Sequence, residues 1–160
     1  MDRVRRWGMA VMIAAVVLAS SAQSQPPIRI VMGPKPEPIA DTKLLMAGLA
    51  EPNFNGLGRI FKDEPKDAEA WAFARGQALL IGETSNLLML RPPKSNREAQ
   101  DLWMNRASEM REAAGKLALA AAGRDYMKAR AGVVDLANAC NRCHQSFRIT
   151  TRVVPFAGDP

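Results

Sequence analysis

The only histidine and the only two cysteines of the 160-residue chain stand together, as Cys140-Asn141-Arg142-Cys143-His144. C-x-x-C-H is the spacing of a site where haem is attached covalently. On a helix, residues three apart lie on one face about a turn apart, so both thiols reach the two vinyl groups on one haem edge as thioethers. His144 then lands under the iron, and the tether makes its coordination effectively intramolecular. Other chemistries suit these residues less well. A disulfide between Cys140 and Cys143 closes almost no loop and constrains little. Structural zinc takes four protein ligands, whereas cysteine and histidine together provide three here. A thioredoxin-like C-x-x-C needs a strand before it, and the residues before Cys140 read as helix.

Helices must carry and face this motif. Asp125 can cap a last helix whose stripe is Tyr126, Ala129, Val133, Leu136, Cys140, Cys143 and Phe147, so the motif lies on the side turned to the core. Before it, Ser95-x-x-Glu98 forms a capping box for a helix striped by Trp103, Ala107, Met110, Ala114, Leu117 and Ala121, with Gly123 as its stop. Asp63-Glu64-Pro65 is expected to start another, striped by Trp71, Ala74, Ala78, Ile81, Ser85 and Leu88 and ended by Pro92-Pro93. A first helix capped by Asp41 or Thr42 runs through Leu44, Leu45, Met46 and Leu49. A break is expected near Pro52 and Asn55, with Glu51 to Gly56 forming a loop. Short connections at 91–95 and 123–125 force antiparallel neighbours, which predicts an all-α, up-and-down antiparallel four-helix bundle over residues 40–150.

The amino terminus has three parts: Arg3, Arg5 and Arg6, an apolar run from Met9 to Ala19, and Ser20-Ser21-Ala22. This is the pattern of a cleaved secretory signal peptide over 1–22, and the run is too short for a permanent membrane anchor, which needs about 20 apolar residues. Residues 23–39 are proline-rich and read as an extended leader; residues 151–160 read as an irregular tail. The net charge of +6 includes the surplus of the signal segment. What remains is mildly basic and has no basic stripe interleaved with aromatics, so nucleic acid is not an expected partner. No acid–base pair beside the motif and no nucleophile with a base suggests an enzyme.

The run Cys140-Asn141-Arg142-Cys143-His144-Gln145-Ser146-Phe147-Arg148, in the last helix of such a bundle, resembles the signature C-x-x-C-H-x-x-aromatic-Arg of the cytochrome c′ family and its six-coordinate relatives. The resemblance implies one haem c bound through Cys140 and Cys143, iron bound by His144, and Phe147 and Arg148 against the proximal side. Phe147 also reads as plain core packing, and Arg148 as a charge near helix carbonyls. With no second histidine, a sixth ligand would be methionine. Met127, on the last helix roughly 25 Å from His144 by helix rise, is too far. Met46, Met89, Met104 and Met110 remain, and the family places its distal residue on the first helix, which points to Met46. The arginine that the family commonly carries four residues earlier is absent; Thr42 and Lys43 stand there. Gap-filling core packing is the other reading of Met46. The function expected is that of an exported, periplasmic one-electron carrier meeting redox partner proteins, with a homodimer left open. The alternative is a five-coordinate binder of nitric oxide or carbon monoxide.

Overall fold

The computed structural model describes residues 36–156. The expected signal peptide, most of the leader and residues 157–160 lie outside the described residues. Five α-helical segments follow in order: α1 (Thr42–Leu45), α2 (Glu51–Ile60), α3 (Ala68–Met89), α4 (Arg97–Ala122) and α5 (Tyr126–Ser146). A π-helical turn, Met46–Ala50, joins α1 to α2 without interrupting the helical backbone. The α1–π–α2 rod, α3, α4 and α5 are the four members of an all-helical bundle, and no strand occurs among the described residues.

The continuity of the first rod corrects the break expected near Pro52 and Asn55. Proline lacks an N–H, and its ring collides with the carbonyl four residues back in a regular α-helix. Here the widened turn comes immediately before Pro52, with the Glu51 N–H donating to the Met46 carbonyl five residues back. Such a turn opens the ladder just where the ring needs room. Asn53 Nδ2 also donates to the Leu49 carbonyl four residues back, at 2.7 Å. Glu51 to Gly56 are therefore helical rather than a loop.

Two helix starts also move. α3 begins at Ala68, where Asp67 accepts from the Ala70 N–H; Pro65 lies in the preceding connection, and its carbonyl accepts from Trp71 Nε1 at 3.1 Å. α4 is capped by Asn96, which accepts from the Ala99 N–H, one residue after the expected Ser95. Asp125 caps α5 as expected, accepting from the Lys128 N–H.

The two ends of the bundle are fixed by hydrogen bonds between distant residues. At one end Arg130 Nη1 donates to the Phe61 carbonyl at 2.7 Å and Tyr126 Oη to the Lys62 carbonyl at 3.3 Å, so α5 starts where α2 finishes. At the other, Arg91 Nε donates to the Ala40 carbonyl at 2.9 Å, so the first rod starts where α3 finishes. Successive members thus run up and down. The expected stripes form the core: Trp71, Ala74, Ala78, Ile81 and Leu88 from α3, Ala107, Met110, Ala114, Leu117 and Ala121 from α4, and Ala129, Val133 and Leu136 from α5 are all buried, with Leu57 and Phe61 from the first rod. Burying each leucine-sized side chain stabilises the fold by about 1.5–3 kcal/mol. Ser85, on the same stripe, is buried too and donates to the Ile81 carbonyl of its own helix at 3.1 Å.

Candidate functional site

Cys140 and Cys143 fall in the last two turns of α5, half-buried, and are not joined to each other. Cys140 packs against the central core. Burial, and secondarily the neighbouring Cys143, push the Cys140 thiol up to about 12; burial likewise raises Cys143.

His144 is held from outside its helix. Its Nδ1 lies 2.7 Å from the Thr151 carbonyl. A carbonyl only accepts, so Nδ1 carries the proton and the lone pair is on Nε2. This is the usual arrangement of a metal-ligating imidazole, in which the second nitrogen is fixed by an acceptor. With two unjoined thiols a helical turn apart and an imidazole whose Nδ1 is fixed by a carbonyl, Cys140, Cys143 and His144 suit covalent haem and one bond to its iron. Among the described residues no cluster of three or more histidine, cysteine or acidic side chains offers another metal site.

The Thr151 carbonyl reaches His144 because the chain reverses at the end of α5. Arg148 is left-handed (φ 55), with Ile149 N–H donating to the His144 carbonyl at 2.8 Å and Arg148 N–H to Gln145 at 3.2 Å. This is a Schellman turn with Arg148 at its left-handed position. The returning strand of chain is held at Val153, which exchanges two 2.8 Å hydrogen bonds with Asn141: Nδ2 donates to the Val153 carbonyl and the Val153 N–H donates to Oδ1. Further along, Phe156 lies under the Arg130 guanidinium, 4.1 Å from ring centroid to Cζ. Residues 151–156 have no regular secondary structure, and Thr151, Val153 and Phe156 each contact α5.

A second group of contacts locks the motif onto α4. Glu109 accepts from Arg106 Nη1 at 2.7 Å and from Arg142 Nε at 2.9 Å, while Arg106 Nε donates to Ser146 Oγ at 3.1 Å. The hydrogen bond from Arg142 is the largest cause holding the Glu109 carboxyl below the ordinary range; partial burial opposes it, and the Arg106 charge adds to it. Phe147 packs edge-on against Trp103, with centroids 5.1 Å apart. Arg148 itself is exposed, and what the structure assigns to it is the turn.

Met46 sits in the π-turn, half-buried against the core. From the level fixed by Arg130 and Phe61, roughly fifteen residues lead up the first rod to Met46 and roughly fourteen up α5 to His144, about 21–23 Å each at 1.5 Å per residue. The two residues stand at matching heights, at the same end of the bundle. A surface hollow of about 410 Å³, lined by Phe54, Gly58, Arg59 and Phe156 among others, does not include the motif.

Asn141, Thr151, Val153, Arg106 and Glu109 carry no sequence signal that would have found them. The middle positions of C-x-x-C accept any residue, and a backbone carbonyl leaves no trace in a sequence.

A helical bundle with this motif in its last helix is an arrangement that fits a covalently attached haem c. Residues 94–148, which take in α4, α5 and the turn between them, match the family model described as Cytochrome C′, so this part of the chain is similar to that family. No curated protein and no solved structure matches it. The family implies haem c. Among the described residues no helix is long and apolar enough to cross a membrane.

Proposed function

We propose that the chain is an exported, periplasmic carrier of single electrons, in which Cys140 and Cys143 would hold one haem c and His144 and Met46 would bind its iron. The observation that supports this best is that His144, its Nδ1 held by the Thr151 carbonyl, stands at the same height as a methionine on the rod that completes the bundle. When bound, the haem supplies an iron that cycles between ferric and ferrous states. The chain's part is to keep that coordination shell rigid. Glu109, bridging Arg106 and Arg142, fixes the motif helix to α4, and Trp103 against Phe147 closes the end of the bundle. Redox proteins are the partners in this reading, and no catalytic reaction is part of it.

The optical spectrum tests it. The ferric protein should show the methionine-to-iron charge-transfer band, and Met46→Ala should abolish it. Reduced wild-type protein should take up carbon monoxide slowly or not at all, and Met46→Ala rapidly. Rapid uptake by the wild-type protein, with no methionine band, would replace this reading with a binder of small diatomic gases.

A further inference from the structure

Asn141 occupies a position of the motif that attachment chemistry leaves free, yet it makes the most specific side-chain contact of the returning tail. Its amide pairs with both backbone groups of Val153, twelve residues on, at 2.8 Å each. Two residues before that pairing, the same stretch presents the Thr151 carbonyl to His144 Nδ1 at 2.7 Å. The three bonds form a clasp. The Schellman turn at Arg148 starts the reversal, the Asn141 amide fixes its register, and the imidazole receives its acceptor. Without the amide, the one side-chain hydrogen bond left between residues 151–156 and this end of α5 is that of the imidazole.

We propose that Asn141 is a positioning residue for the iron ligand: by clasping Val153 it holds the Thr151 carbonyl on His144 and so lowers the reduction potential of the bound haem. The proposal rests on the haem reading above. An acceptor on Nδ1–H pushes electron density onto Nε2, and a more basic imidazole favours ferric iron over ferrous. Losing the clasp therefore raises the potential. A merely structural role moves it the other way, because a loosened tail admits water, which stabilises the more highly charged ferric state. The sign of the shift separates the two.

The test is equilibrium redox titration of the exported, haem-loaded protein beside Asn141→Ala and Val153→Pro. The first removes the amide. The second removes the N–H that Asn141 accepts and lies outside the attachment motif, so thioether formation is untouched. Both should raise the ferrous-to-ferric ratio at a fixed solution potential by about tenfold, equivalent to about 59 mV for a one-electron couple. Asn141→Asp, which still accepts from Val153 but cannot donate, should fall between them and the wild type. Haem-loaded Asn141→Ala and Val153→Pro proteins whose midpoints stay put or fall overturn the positioning role while leaving the electron-carrier reading intact. A wild-type chain exported without haem overturns both.

Discussion

Gly56 on α2 faces Gln77 on α3 so closely that a Cβ added there would stand 2.2 Å from Gln77 Nε2 and 2.6 Å from its Cδ. Gln77 is buried, and the atoms such a Cβ would meet are the far end of its flexible side chain, which must take another rotamer to make room. Gly56→Ala should therefore destabilise the fold by about 1 kcal/mol, the low end of the cost of overpacking, despite alanine's better helix propensity. Gln77→Ala in the same chain should restore most of the loss, and thermal unfolding of the two single variants and the pair would check the coupling. A second residue-scale effect belongs to Glu109. Its folded-state pKa lies below the ordinary value, so its ion pairs stabilise the fold above about pH 4.3, the usual glutamate pKa, and that contribution is lost as pH falls through the lowered value. The carboxylate side chain is 35% exposed, so screening keeps the effect small. Unfolding measured across this acid range should show a shallower pH dependence for Glu109→Gln than for the wild type; parallel curves would mean that the two arginines contribute nothing through it.

Among the helices, α4 and α5 end alike. In each a non-glycine residue takes the left-handed position, Arg124 (φ 52) after α4 and Arg148 (φ 55) after α5. The Asp125 N–H donates to the Ala120 carbonyl and the Ile149 N–H to that of His144, the outer bond of a Schellman turn in both. Left-handed backbone costs a residue with a Cβ about 1–2 kcal/mol, and glycine returns part of this through its flexible unfolded chain. Arg124→Gly and Arg148→Gly should each stabilise by about 0.5–1 kcal/mol in denaturant titrations, with no change in helix content. Gly123 was legible as the stop of α4, but it adopts an ordinary φ of −79 and the special conformation falls one residue later. The stripes of α3, α4 and α5 were legible because burial repeats with the helical period, and Trp71, Ala114 and Leu136 stand where that period puts them. The fate of Pro52 was not. A proline announces a missing N–H and a steric conflict, but whether the chain answers with a loop or a π-turn depends on what the following turn packs against, here Phe54, Gly56 and Leu57 buried beside α3.

At the scale of the whole molecule, the bundle brings to one end what the sequence separates by about a hundred residues. The carboxyl end of α5 and the start of the first rod lie at the same end because the connections are short and the members alternate in direction. The two thiols and the imidazole of this end were legible from their spacing alone. The clasp that seats the imidazole was not, since it is built from backbone groups of an irregular tail and one asparagine. What the chain does follows from whether that end carries haem c. The most direct measurement is the intact mass of the protein recovered after export from a host that attaches haem to C-x-x-C-H sites. The mass of the chain plus one haem, surviving denaturation and lost in the Cys140→Ala, Cys143→Ala double variant, is the result expected; recovery of the bare polypeptide under the same conditions would contradict the account.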